Sequence, residues 1–185
     1  MQTKQTLDDL VVRLNAATTT CGTTKVITID GPAGSGKTTL ANQLASQLPD
    51  CTVIHMDDLY NGWTQDLLHE LAERINHQIL TPISENRSAQ IAKYDWATNS
   101  FRSKIAISPS SYLILEGVGS GHPDLKAKSA LNVWIEADPD LLLERLVKRD
   151  GEVLREELVR WQAHEAQYFS QLPIKQLADV CLTGD

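Results

Sequence analysis

The sequence predicts an α/β fold: a parallel five-stranded sheet with helices on both faces, a small hairpin insertion and a helical lid. Three observations carry that prediction. Short β-branched or apolar runs alternate with helix-length amphipathic stretches along the 185 residues. Those runs are apolar along their whole length instead of alternating with polar residues, as strands covered on both faces are. A glycine-rich turn, residues 31–36, joins the first run directly to a helix.

In chain order, Leu7, Leu10, Val11 and Leu14 recur at helical spacing, so residues 1–20 hold an N-terminal helix packed on the rest. Residues 25–30 form a strand stopped at Gly31 and Pro32, and a helix runs from Lys37 to Leu48, with Leu40, Leu44 and Leu48 inward and Pro49 ending it. Residues 52–56 form the second strand, placed next to the first, and break at Asp57-Asp58. Leu67, Leu68, Leu71, Ile75 and Ile79 space a helix from Thr64 to about Leu80. Residues 81–110 carry two short strands, 90–96 and 102–107, around the turn-prone Thr98-Asn99-Ser100, and read as an inserted hairpin. Strands follow at 111–116 and 131–136, then a helix opened by Asp138 and Pro139 and running to Asp150, a helix over 152–169 and a last strand over 178–182. The carboxyl ends of the first four sheet strands then carry Asp30-Gly31, Asp57-Asp58, Glu116-Gly117 and Glu136-Ala137, where ligands of such sheets bind.

Composition fits one domain spanning 1–185, with 42% apolar residues and a formal net charge of −7. That charge argues against nucleic acid or an anionic membrane as partner, so any phosphate site must be local. Apolar stretches are strand-length and the N-terminus has no basic segment followed by an apolar one, so a cytoplasmic protein is expected, as monomer or homodimer. Cys21, Cys51 and Cys181 follow no metal-ligand spacing and are expected as reduced, buried small side chains.

Gly31, Pro32, Ala33, Gly34, Ser35, Gly36, Lys37 and Thr38 match the P-loop pattern between a strand and a helix, the context its mechanism requires. Glycines let successive N–H groups turn inward on phosphate oxygens above the positive end of the helix. The fold is therefore of the P-loop NTPase type, with residues 31–38 and Thr39 cradling ATP, GTP being the alternative. Lys37 reaches the β- and γ-phosphates and the Thr38 hydroxyl is placed to ligate Mg²⁺. Asp57 would project toward the γ-phosphate side, where a carboxylate accepts a proton from an attacking hydroxyl or holds a metal-bound water; a one-residue slip gives that role to Asp58. Glu116 ends its strand as a metal-side carboxylate. Arg145 and Arg149 lie four apart on one helix face, and residues 145–160 read as a lid that closes these cations over the transferring phosphoryl group.

The segments Ile29 to Thr38, Met56 to Tyr60 with Gly62-Trp63, Tyr94-Asp95-Trp96, Leu115 to Gly119, Arg145 to Gly151, Trp161 and Ala178 to Val180 together resemble the uridine kinase-like group of P-loop kinases over residues 24–185. The resemblance implies a phosphotransferase acting on a nucleoside, with Asp57 as general base and Tyr94 and Asp95 contacting the acceptor. Tyr60 and Trp96 are further ring-stacking candidates. Leu59 stands where the group has an aromatic residue, and no His accompanies Tyr94-Asp95-Trp96.

For the acceptor, residues 57–105 hold Arg74, Arg87, Lys93, Arg102 and Lys104 against seven acidic side chains, a balance suited to a neutral hydroxyl-bearing metabolite. A phosphorylated acceptor, as in a nucleoside monophosphate kinase, is one alternative. A regulatory module that binds ATP or GTP and hydrolyses it slowly is the other; it would need residues 31–38 and Glu116 but not Asp57, Tyr94 or Asp95.

Overall fold

The computed structural model describes residues 2–184. Helix α1 (Gln2–Ala16) leads into β1 (Lys25–Asp30), the glycine-rich loop and α2 (Lys37–Ala45). Strand β2 (Cys51–His55) ends in a 3-10 turn over Met56–Asp58. Helix α3 (Glu70–Ile75) continues through a π-helical turn (Asn76–Leu80) into α4 (Thr81–Ser84), followed by the antiparallel hairpin of β3 (Ala89–Asp95) and β4 (Ser100–Ile107). Next come β5 (Tyr112–Glu116), α5 (Pro123–Lys126), β6 (Leu131–Glu136), α6 (Pro139–Asp150), α7 (Arg155–Gln171), α8 (Ile174–Leu177) and β7 (Val180–Thr183).

The sheet has five parallel strands in the order β2-β5-β1-β6-β7. This corrects the expected neighbourhood of the first two strands, because β5 lies between β1 and β2. All five residues of β5 are buried, so an interior position between two strands suits its apolar Tyr-Leu-Ile-Leu run. Alternate residues feed two cores. Ile27, Ile29, Ile114, Val133 and Ile135 face Leu10 and Leu14 of α1 and Leu40, Ala41 and Leu44 of α2. On the other face Val26, Leu113, Leu115 and Trp134 join Leu71, Ile75, Ile79, Trp161 and Tyr168.

The helix expected over 64–80 differs at both ends. The helix expected from Thr64 begins at Glu70, because Asp66 Oδ1 accepts the N–H groups of Leu68 and His69 at 2.8 and 3.1 Å and holds a turn there. It runs on past Leu80 to Ser84 through the π turn, where Pro82 lacks the N–H needed for a regular ladder. Cys181 is exposed on the edge strand β7 and Cys51 is half-buried; of the three free thiols only Cys21 is buried as expected. No helix among the described residues is long and apolar enough to cross a membrane.

Candidate active site

The carboxyl ends of β1, β5 and β2 frame a cavity of about 590 Å³, closed on its far side by α6 and α7. The glycine-rich loop forms its floor. Gly31 has φ +142° and a Cβ there would lie 2.0 Å from the Ile135 carbonyl oxygen, so the loop can leave β1 this close to β6 only as glycine. Ala33, Gly34, Gly36, Lys37, Thr38 and Thr39 line the cavity. Gly31 and Pro32 instead offer their carbonyls to the Lys37 ammonium at 2.8 and 2.9 Å, fixing the charge at the head of the loop. Ser35 is buried beneath it, and its hydroxyl finds no partner among the described residues.

Asp30 ends β1 fully buried, and its carboxylate accepts the N–H groups of Gly31 at 2.7 Å, Gly121 at 2.8 Å and Gly119 at 3.2 Å. One side chain thus ties the phosphate loop to the loop after β5. Burial pushes its pKa up to about 6 against the pull of those N–H donors and Lys37. It was not among the expected site residues, although a carboxylate ending an otherwise apolar strand was visible in the sequence.

The strand order gives Glu116 the central place among the carboxylates. Register sets it between Ile29 of β1 and His55 of β2. Its Oε1 accepts the Thr38 hydroxyl at 3.0 Å and also contacts His55 Nδ1. His55 was not expected at the site; only the β2–β5 register reveals it.

Asp57 opens to the cavity while protein atoms crowd its other sides. That crowding raises its pKa, with the negative charge of Glu116 adding to it and Lys37, Arg149 and His55 opposing. Each of its neighbours is anchored. The Trp96 indole donates to the Asp57 carbonyl at 3.0 Å, Lys93 pairs with Asp58 at 2.9 Å and Arg74 donates to the Leu59 carbonyl at 2.9 Å. Asp58 is therefore engaged with the hairpin, whereas the Asp57 carboxylate faces Lys37 and Arg149.

Arg145 and Arg149 of α6 both reach the cavity, as their spacing predicts. Asp150 grips Arg149 through two bonds of 2.6 and 2.7 Å, and Arg145 donates to the Gly184 carbonyl at 3.1 Å. Past Asp57, Tyr60, Trp63, Trp96, Val118, Leu158 and Trp161 form an aromatic and aliphatic wall. Tyr60 is fixed by its hydroxyl on the Val118 carbonyl at 2.9 Å. The other two acceptor-site candidates lie off the wall. Tyr94 is buried behind Trp96, ring centroids 5.2 Å apart, and Asp95 caps its own hairpin turn through the Ala97 N–H at 3.0 Å. Trp63, half-buried with its ring centroid 5.0 Å from that of Trp96, lines the cavity beside it.

A cation site is compatible with these donors. The Thr38 hydroxyl and the Glu116 carboxylate converge at the start of α2, and oxygen donors of this kind suit Mg²⁺, which takes one or two protein oxygens and fills its shell with water and phosphate. No group of three His, Cys, Asp or Glu side chains among the described residues is arranged to hold a metal by itself.

Fold and geometry define a P-loop protein whose nucleotide cradle opens onto a second, aromatic compartment. A family profile described as "AAA domain" matches residues 27–169. Uridine kinase-like protein 4 of Arabidopsis thaliana is 27% identical over 179 residues, covering 85% of this chain and 38% of that protein. The uridine kinase of Limosilactobacillus reuteri is 26% identical over 176 residues, covering 84% of this chain and 81% of that protein. A solved structure described as a possible uridine kinase from Bacillus stearothermophilus shares the fold, with TM-score 0.72 at 24% identity over 98% of this chain and 100% of that one. The chain belongs to the AAA-domain family of P-loop proteins and is similar to proteins named uridine kinase or uridine kinase-like. It spans little more than a third of the length of Arabidopsis relatives it matches.

Proposed function

We propose that this chain is a small-molecule kinase that transfers the γ-phosphate of ATP to a hydroxyl of a nucleoside-like acceptor. One observation carries the reading: a single cavity joins Lys37 and Thr38 of the phosphate loop to the carboxylate of Asp57 and to the wall of Tyr60, Trp63, Trp96 and Trp161. A protein that used nucleotide only as a conformational ligand would need no such second compartment. The bacterial and plant relatives named as uridine kinases or uridine kinase-like proteins favour a nucleoside acceptor.

In this mechanism the loop amides and Lys37 hold the β- and γ-phosphates. The acceptor ring rests against the aromatic wall with its hydroxyl toward Asp57, which takes the hydroxyl proton as the oxygen bonds to the γ-phosphorus and the bond to the β-phosphate oxygen breaks. The raised pKa of Asp57 makes it a better proton acceptor than an ordinary aspartate. Arg145 and Arg149 neutralise charge on the transferring group, with residues 145–160 acting as the lid and the β3–β4 hairpin adding Trp96 to the acceptor-side wall. Thr38 and Glu116, with Asp57, would hold Mg²⁺, which would supply further neutralisation of the phosphate oxygens.

The test is transfer from γ-labelled ATP with Mg²⁺ across nucleosides, nucleoside monophosphates, sugars and vitamins, with a no-acceptor control. A labelled nucleoside product is expected. Slow hydrolysis unchanged by any acceptor would overturn the kinase reading, and a product confined to monophosphates would overturn the neutral acceptor.

A further inference from the structure

Helix α7 turns Leu158, Trp161, Glu165 and Tyr168 inward on one buried stripe. Three of the four suit an apolar face; Glu165 does not. An ionised carboxylate taken out of water is costly unless hydrogen bonds or counter-charge compensate it. Its two oxygens accept one N–H, that of Ala33, at 3.2 and 3.1 Å. Ala33 belongs to the phosphate loop and lines the cavity. A loop whose amides gather anionic oxygens thus already holds an internal anion at its first turn.

The groups facing Glu165 come from four elements. Asp30 at the end of β1 opposes its charge, Lys37 of α2 favours it, Tyr60 lies across from it after β2, and the Trp161 indole favours it from its own helix. A nucleotide triphosphate on the loop adds several negative charges beside this set. The stripe is packed, so neutralising Glu165 disturbs less than swinging it out.

We propose that Glu165 is a proton-linked positioning residue of the nucleotide site: from α7 it holds the first turn of the phosphate loop through the Ala33 N–H, and it takes up one proton from solvent when a nucleotide triphosphate occupies the loop. The neutral acid keeps one oxygen as acceptor for Ala33 and gains an O–H donor, so the tether survives the change of charge. Glu165 is poised for this. Burial, with Asp30 adding to it, pushes Glu165 up to about 7, against the pull of the Ala33 N–H and Lys37. A neighbouring polyanion moves it further in the same direction. Nucleotide affinity therefore falls as pH rises above neutrality, by up to about tenfold per pH unit between the free and bound pKa values.

This inference rests on the nucleotide site but not on phosphoryl transfer, so the test is a binding experiment. A non-hydrolysable ATP analogue with Mg²⁺ is titrated into the protein at pH 7.5 by calorimetry, in buffers of different ionisation enthalpy. The wild type is expected to take up roughly half a proton or more, and an infrared difference spectrum to gain a protonated-carboxyl band. E165Q, which keeps an oxygen for Ala33, is expected to lose both and to bind the analogue several-fold more tightly than wild type at pH 8, but equally at pH 6. Tight binding by the wild type with neither proton uptake nor the new band overturns the proposal without any variant. Equal uptake by wild type and E165Q overturns it as well. Failure of the analogue to bind at all would instead refute the nucleotide site.

Discussion

Asp57 and Lys37 line one cavity but serve different partners in the proposed reaction, and their substitutions should separate accordingly. Asp57→Asn keeps size and the anchored backbone but cannot accept a proton; turnover is expected to fall on the order of 10²-fold or more, with nucleotide affinity nearly unchanged. Phosphotransfer rates beside a direct binding titration check this, and a variant retaining full turnover would remove Asp57 from the mechanism. Glu165 makes a separate prediction about stability. Its folded pKa, about 7, lies above its ordinary 4.5, so the folded state holds the proton more tightly than the unfolded chain. Its contribution to stability is therefore fully present below pH 4.5 and is lost as pH rises through 7, a loss of roughly 3 kcal/mol at most. E165Q should accordingly melt several degrees above wild type at pH 8 and close to it at pH 5. A melting difference independent of pH would show that Glu165 is not the titrating group.

At the scale of elements, two contacts decide how the acceptor side is built. The β3–β4 hairpin reaches the site through Trp96, whose indole holds the Asp57 carbonyl and whose ring meets Trp63. Trp96→Ala should raise the acceptor KM about tenfold or more while leaving ATP affinity alone; steady-state kinetics varying each substrate in turn would show it. The end of β5 is packed as tightly against the turn after β2. Gly117 has φ +131°, and a Cβ there would lie 2.6 Å from Met56 Cβ. Gly117→Ala should therefore push Met56 and the adjoining Asp57 outward, lowering both the melting temperature and kcat. Unchanged melting and kcat would mean that the turn after β2 yields freely.

For the molecule as a whole, a net charge of −7 leaves the phosphate site as a local device. Saturating nucleotide at about a hundred times its Kd stabilises a folded protein by about 2.7 kcal/mol, or roughly 5 to 10 °C at this size. Thermal melting with Mg²⁺-ATP should show that shift in wild type. Lys37→Ala should melt normally without nucleotide, lose most of the shift and lose activity. A full shift or full activity in that variant would place the phosphate elsewhere.

Much of this was legible in the residues themselves. The strand-loop-helix of residues 25–45, the apolar strands at 112–116 and 131–136, and the helix opened by Asp138 and Pro139 follow from local rules of glycine, proline and periodicity, which act within a few neighbours. That Lys37, Thr38, Asp57, Glu116, Arg145 and Arg149 gather at one cavity was likewise readable, because their motifs lie at strand and helix ends. The strand order was not, since inserting β5 between β1 and β2 is decided by which apolar strand is best buried inside the sheet and which is left at its edge. That order brings His55 to Glu116 and Asp30 to the loop after β5, and the packing of α7 on the phosphate loop turns Glu165 onto Ala33. Sequence determined which chemical groups the chain carries and where its elements begin. Tertiary structure decided which groups share a dielectric environment, because burial and charge coupling depend on distance through space.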